Sequence, residues 1–203
     1  MGVCGQVSPQ KVVANIKRAV FLDRDGVINR AMVRDGKPYP PADLAALEIL
    51  PGVSEAMQLL HEAGWLLIVV SNQPDVARGT TQKAEVEAIN GHLRKCLPID
   101  EFRTCYHDSG DGCNCRKPLP GALLAAADAH GINLASSYMV GDRWRDTEAG
   151  ERAGCKTIFL DYGYDEKQPE KFDYRVRSLA EAADIILGRW NEKGRGSQGS
   201  NFC

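Results

Sequence analysis

Polar side chains follow three short apolar runs of the sequence, at the points where buried strands would end. Asp23 and Asp25 follow the first run, Ser71 and Asn72 follow the second, and Asp142 follows the third. In open parallel sheets ligands bind at the carboxyl ends of the strands, so residues there converge however far apart they lie in sequence. The sequence therefore predicts a site where carboxylates and a hydroxyl meet at one sheet edge.

These residue types, together with Lys117 just before a predicted helix, suit the transfer of a phosphoryl group. Crowded carboxylates repel one another unless a cation joins them, and Mg²⁺ prefers oxygen ligands. One carboxylate can attack phosphorus, and a second can hand a proton to the leaving group. A lysine and a hydroxyl can stabilise the transferring oxygens. A strand-end aspartate can also merely cap a turn or helix, and for Asp146 both interpretations stay open.

A second cluster indicates a structural metal site. Cys105 and His107 form one pair, and Cys113 and Cys115 follow after a spacer of turn-forming residues. Residues i and i+2 of an extended chain point to the same side, so the two residues of a pair can bind the same ion. Three cysteines and one histidine with no open position describe structural zinc. A redox pair at Cys113 and Cys115 is the alternative, but it leaves the other two residues without a role.

The elements that must position these residues alternate along the chain. Strands are predicted at 19–22, 66–70, 102–106, 138–140 and 157–160, and helices at 53–63, 83–97, 121–130, 147–153 and 178–190. Runs that are apolar on both faces suit a buried parallel sheet, and the alternation predicts right-handed crossovers. We therefore expect a Rossmann-like α/β fold with helices on both faces of the sheet and a zinc-bound loop.

The intervals between the motifs leave no room for a separate cap domain. Residues 29–43 are polar and proline-rich, which predicts a flap or short hairpin after the first strand. The remaining intervals are filled by one helix or one strand-helix unit. The site should be open to solvent, with only loops to enclose the substrate. A small chain without a cap is expected to be a monomer.

Composition sets the broad class of the protein. The 203 residues fit one domain at 18–190, with an N-terminal extension at 1–17 and a disordered Gly/Ser-rich tail at 191–203. A net charge of -2 argues against a nucleic-acid partner. No apolar stretch approaches membrane-spanning length, and no export signal is visible, so we expect a cytoplasmic protein.

The motifs FLDRDGVIN, VVSNQ, CRKP and VGDRWRD resemble the four signature motifs of the haloacid dehalogenase-like phosphatases, in order and spacing, over residues 18–188. The resemblance implies that Asp23 is the nucleophile and that Asp25 is the general acid and then the general base. It implies that Ser71 and Lys117 hold the phosphoryl group. Asp142 would join Asp23 and the backbone carbonyl of Asp25 in binding Mg²⁺.

The cysteine-histidine segment resembles the branch of that family that contains heptose bisphosphate phosphatases and histidinol-phosphate phosphatases. Residues 72–79, NQPDVARG, look more like the heptose branch, although Pro74-Asp75 departs from the Ser-Gly that is common there. The resemblance implies a small phosphorylated sugar as substrate: heptose 1,7-bisphosphate losing its C7 phosphate, with histidinol phosphate or another small sugar phosphate as alternative.

The same resemblance suggests residues for the remainder of the substrate. Asn72, Arg78 and Arg116 are candidates to bind it, since arginine grips a second phosphate with two parallel hydrogen bonds. Zinc would position Arg116 and Lys117, which directly follow the last cysteine. Arg143 stands where many relatives carry lysine, which leaves its role open. Two rival functions are a zinc-dependent binding module and a phosphotransferase, and the latter usually needs a cap to exclude water.

Overall fold

The computed structural model describes residues 17–190. The predicted disordered tail at 191–203 and the predicted N-terminal extension, except for its last residue, lie outside this range. The strands are β1 (Ala19–Leu22), β2 (Met32–Arg34), β3 (Lys37–Tyr39), β4 (Leu66–Asn72), β5 (Glu101–Cys105), β6 (Tyr138–Gly141), β7 (Lys156–Leu160) and β8 (Tyr174–Val176). The helices are α1 (Val53–Glu62), α2 (Lys83–Cys96), α3 (Gly121–His130), α4 (Trp144–Ala153) and α5 (Leu179–Ile186).

Six strands form one parallel sheet in the order β5-β4-β1-β6-β7-β8. The chain leaves β1 toward one edge and later returns to its other side, so the strand order reverses between β1 and β6. Such a reversal opens a crevice beyond the carboxyl ends of the central strands. This is the edge at which the sequence predicts the site.

The two faces of the sheet carry separate cores. Val20 and Leu22 of β1 pack with the buried residues of α1, α2 and α5. Ala19 and Phe21, which point the other way, pack with those of α3 and α4. Side chains alternate across a strand, so a strand that is apolar throughout must be covered on both faces. The predicted Rossmann-like fold with helices on both faces is confirmed.

One strand was not predicted and two predicted helix boundaries are wrong, in each case for a local reason. Strand β8 was not predicted, because it is a three-residue edge strand of which only Val176 is buried. Helix α4 begins at Trp144, three residues before the predicted start, since the Asp146 carboxylate accepts the Arg143 N–H at 2.9 Å and caps the earlier turn. Helix α5 ends at Ile186 and not at 190; Gly188, with φ 68°, turns the chain away.

The segment predicted as a flap is the antiparallel hairpin β2-β3. Its two-residue turn, Asp35-Gly36, has φ of 50° and 72°, the type I′ geometry that matches the twist of paired strands. Between β1 and β4 the chain otherwise contains α1, so the expectation of no separate cap domain is met. Across residues 17–190 none of the helices has both the length and the apolar character that crossing a bilayer requires.

Candidate active site and metal centres

The central strands bring the predicted residues together in one cleft. Its walls include Asp23 and Asp25 after β1, Ser71 and Asn72 at the end of β4, and Lys117 from the loop before α3. Pro38 and Tyr39 of the hairpin, and Pro40 directly after it, also line the cleft. The cleft opens to solvent, and together with its open mouth it holds about 440 Å³ of space.

Lys117 is the buried centre of the cleft, with 2% of its surface exposed. Its Nζ donates to Asp23 Oδ1 at 2.7 Å and to the Val70 carbonyl at 2.6 Å, and it lies 2.7 Å from Asp146 Oδ1. Burial by itself would lower the pKa of Lys117, but the carboxylates of Asp146 and Asp23 outweigh it and raise that pKa above its ordinary value. Lys117 therefore carries a fixed positive charge at the floor of the cleft.

Asn72 holds the backbone of Lys117 in place. Its Nδ2 donates to the Lys117 carbonyl at 2.9 Å, and its Oδ1 accepts the Lys117 N–H at 3.0 Å. A side-chain amide that pairs with both backbone groups of one residue fixes that residue's position. The structure thus links the β4 motif to the lysine loop, and Asn72 both lines the cleft and fixes Lys117.

The carboxylates of the cleft fit a divalent cation. Oxygens of Asp23, Asp142 and Asp146 lie within 4.8 Å of one another. Both carboxylate oxygens of Asp142 are buried without a well-formed hydrogen bond. The nearby Tyr164 hydroxyl lowers the pKa of Asp142, but by less than burial raises it. A buried carboxylate without a partner is costly, and hard oxygen ligands are those that Mg²⁺ prefers. The donor set therefore suits Mg²⁺.

The pKa values of these carboxyls reflect the same shortage of positive charge. Burial raises the pKa of Asp23 to about 6, against the opposing charge of Lys117 and with reinforcement from Asp146 and Asp25. Burial and then the neighbouring Asp23 raise the pKa of Asp142 well above its usual range. Crowded buried carboxyls behave in this way when no cation joins them.

Gly26 explains how Asp142 comes so close to the first motif. A Cβ at this position would lie 1.8 Å from Asp142 Oδ2, and its φ of 95° is one that other residues rarely adopt. Any side chain here would expel the carboxylate from the site.

Asp146 caps a helix, which is one of the two interpretations left open by the sequence, and its carboxylate also lines the cleft. Its Oδ2 caps α4, and its Oδ1 pairs with Lys117. Arg143 also lines the cleft, where its guanidinium forms a two-pronged ion pair with Glu166.

The two arginines predicted to bind substrate lie outside the cleft lining. Arg78 donates to Asp108 at 2.8 and 2.7 Å and to Asp75 at 3.2 Å. Arg116 donates to the His107 carbonyl at 3.2 Å. Their contact with a substrate stays a prediction. Arg145, in the first turn of α4, does line the cleft; the sequence reasoning missed it, although it stands in the fourth motif.

The cysteine-histidine cluster forms as the spacing predicts. Cys105 Sγ lies 3.8 Å from Cys113 Sγ, 3.3 Å from Cys115 Sγ and 3.6 Å from His107 Nδ1. Zn–S bonds of about 2.3 Å and Zn–N bonds of about 2.0 Å place tetrahedral ligands roughly 3.5–3.8 Å apart. The four side chains can hold one metal ion through Nδ1 and three sulfurs.

Comparisons with known proteins agree with this geometry. A model of the HAD-hydrolase-like family matches residues 114–182. The D-glycero-beta-D-manno-heptose-1,7-bisphosphate 7-phosphatase of Bordetella bronchiseptica is 34% identical over 151 residues, which are 72% of this chain and 82% of that protein. The enzyme of the same name from Escherichia coli K12 is 37% identical over 154 residues, which are 70% of this chain and 78% of that protein.

The similarity extends to a solved three-dimensional structure. The crystal structure of D,D-heptose 1,7-bisphosphate phosphatase from B. bronchiseptica, complexed with magnesium and phosphate, has a TM-score of 0.74 and 30% identity. The match covers 85% of this chain and 99% of that one. This chain therefore belongs to the haloacid dehalogenase-like phosphatase family, as a relative of the D-glycero-β-D-manno-heptose-1,7-bisphosphate 7-phosphatases.

Proposed function

We propose that this phosphatase removes the C7 phosphate of D-glycero-D-manno-heptose 1,7-bisphosphate through a phosphoryl intermediate on Asp23. The observation that carries the mechanism is the buried Lys117 between Asp23 and Asp146, beside the unpartnered carboxylate of Asp142. The names of the relatives support the choice of substrate. The proposal assigns catalysis to residues 18–190 of a cytoplasmic monomer without a nucleic-acid partner.

In the first step an Asp23 oxygen attacks phosphorus, and the bond from phosphorus to the sugar oxygen breaks while Asp25 gives that oxygen its proton. In the second step Asp25 takes a proton from water, the water oxygen attacks phosphorus, and the Asp23 carboxylate is released. Ser71 and Lys117 donate to the phosphoryl oxygens in both steps. Asp23, Asp142 and the Asp25 carbonyl would hold Mg²⁺, which when bound supplies further positive charge to those oxygens.

Substrate profiling tests the proposal as a whole. With Mg²⁺ present, kcat/KM for heptose 1,7-bisphosphate should exceed that for histidinol phosphate and for a panel of sugar monophosphates. Preference for histidinol phosphate would replace the substrate and keep the mechanism. A lack of Mg²⁺-dependent hydrolysis of any phosphomonoester would remove both.

Replacing Asp25 with Asn is expected to lower kcat on a sugar phosphate by about 10²- to 10⁴-fold, the usual worth of general acid catalysis. Nitrophenyl phosphate should lose much less in the first step, because its leaving group needs little help from a proton. Burst kinetics of the first step on both substrates measure this difference. Equal losses on the two would contradict the assigned role of Asp25.

The second phosphate of the substrate is assigned to Arg145. In contrast to Arg143, which pairs with Glu166, Arg145 forms no ion pair within residues 17–190. Burial and then the positive charges of Arg143 and Arg116 lower the pKa of Arg145, while Glu166 and Asp146 act in the opposite direction. An anionic group of the substrate would give Arg145 a direct partner, and arginine binds phosphate with two parallel hydrogen bonds.

Replacing Arg145 with Gln should therefore raise KM for heptose 1,7-bisphosphate by about 10- to 100-fold, since a hydrogen bond to a charged group contributes roughly 1.5–3 kcal/mol. KM for heptose 7-phosphate, which lacks the C1 phosphate, should barely change. Arg94→Gln on α2 is the control and should leave both values unchanged. If Arg145→Gln raises both KM values equally, Arg145 does not contact the second phosphate.

The cysteine-histidine cluster is assigned to structural zinc, which holds the loop that leads into Arg116 and Lys117. Cys113→Ser should release the zinc and lower kcat by about 10²-fold, because small displacements of catalytic groups have effects of that size. Global stability should fall only modestly. Elemental analysis and kinetics measure this, with Cys96→Ser outside the cluster as the control that retains zinc. Wild-type protein that is zinc-free and fully active would contradict the assignment.

A further inference from the structure

Arg24 is a buried charge that the proposed mechanism does not use. It stands between the nucleophile and the acid in the first motif, and none of its surface is exposed. A buried guanidinium keeps its charge and is costly unless it is paired and hydrogen-bonded. Its partners therefore indicate why it is kept there.

The main partner of Arg24 is the next residue. Arg24 Nε donates to Asp25 Oδ1 at 3.1 Å, and Arg24 Nη2 donates to Asp25 Oδ2 at 3.0 Å, which makes a two-pronged ion pair. The other terminal nitrogen, Nη1, donates to Asn90 Oδ1 at 3.0 Å, and Asn90 Nδ2 in turn donates to Thr104 Oγ1 at 3.2 Å. Helix α2 and strand β5 thus anchor the guanidinium from behind.

Two amides complete the environment of Asp25. Asn29 Nδ2 donates to its Oδ1 at 2.9 Å, and Gln73 Nε2 donates to its Oδ2 at 2.7 Å. Each carboxylate oxygen therefore accepts two N–H groups, and the carboxylate has little freedom to rotate. Its orientation is set before any substrate arrives.

We infer that Arg24 is a positioning residue, which aims the Asp25 carboxyl at the leaving oxygen of the substrate through the ion pair anchored on Asn90. The inference rests on the proposed role of Asp25 as general acid. A well-aimed acid reduces the dependence of the phosphorylation rate on the leaving group, because the departing oxygen carries less negative charge. Loosening Asp25 should make that dependence steeper.

The test measures the first-step rate for a series of aryl and alkyl phosphates of graded leaving-group pKa, with wild type, Asp25→Asn, Arg24→Met and Asn90→Ala. In Arg24→Met the first-step rate should fall about 10- to 100-fold more on alkyl phosphates than on nitrophenyl phosphate. This loss is a part of the roughly 10²- to 10⁴-fold acceleration that a general acid supplies. Asn90→Ala, which keeps the ion pair, should show a smaller steepening in the same direction. Arg30→Met, which breaks an exposed two-pronged pair with Glu48, is the control and should leave the slope unchanged.

The outcomes separate this inference from the function on which it rests. If Asp25→Asn itself leaves the slope unchanged, the proposed role of Asp25 fails. If Asp25→Asn steepens the slope but both Arg24→Met and Asn90→Ala lose rate equally on all substrates, Arg24 is only structural and the inference is overturned. Should Arg24→Met fail to fold, Asn90→Ala alone decides, since an unchanged slope there also overturns it.

Discussion

Asp23→Asn is expected to lower kcat by about 10⁴-fold or more, on sugar and aryl phosphates alike. The scale is that seen when a hydrolase loses its covalent nucleophile. Asparagine keeps the shape of the side chain but has no charged oxygen to attack phosphorus, and it removes one of the three clustered carboxylates. Steady-state kinetics with Mg²⁺ measure the loss.

The control for this change is Asp128→Asn on the exposed side of α3, which removes the same charge away from the cleft. It should retain full activity. Both variants should fold, because asparagine can still accept the hydrogen bond that Lys117 gives to Asp23. Substantial turnover by a verified Asp23→Asn preparation would remove the covalent mechanism.

Lys117→Met is expected to lower kcat by about 10²- to 10³-fold or more and to destabilise the fold as well. The activity loss follows from removing a donor aimed at the phosphoryl oxygens. The stability loss follows from leaving Asp23 and Asp146 buried without their cationic partner, a change that costs about 3–5 kcal/mol for a buried pair. Urea denaturation in Mg²⁺-free buffer measures the second effect.

Lys95→Met on the exposed end of α2 is the matched control, and it should change neither quantity. Added Mg²⁺ should restore part of the stability of Lys117→Met, because it brings positive charge to the same carboxylates, but it should not restore turnover. A Lys117→Met variant as stable as wild type without Mg²⁺ would contradict the electrostatic account of the cleft.

Much of the site could be predicted because it depends on local order in the sequence. Asp23 and Ser71 each lie at or just beyond the end of an apolar run, and parallel strands bring such ends to one edge. Cys105 and Cys113 each begin a pair of residues two positions apart, and this spacing places both side chains of a pair on the same side of an extended chain. The coverage of both faces of the sheet by helices likewise follows from the alternation of strands and helices and from strands that are apolar on both faces.

The contacts that could not be predicted join distant segments. Arg78 pairs with Asp108, 30 residues later, and the two residues follow the neighbouring strands β4 and β5. Asp146 caps a helix locally, whereas its contact with Lys117 joins two loops. The burial of Arg24 depends on the packing of α2 against the first motif, which the order of residues does not show.

The most direct test of the central claim is phosphorus NMR of wild-type enzyme acting on heptose 1,7-bisphosphate with Mg²⁺. We predict that the C7 phosphate resonance disappears, that the C1 phosphate resonance persists, and that inorganic phosphate appears in equal amount. Asp23→Asn should leave both sugar phosphates intact. Loss of the C1 phosphate first, or no change while histidinol phosphate is hydrolysed under the same conditions, would contradict the account.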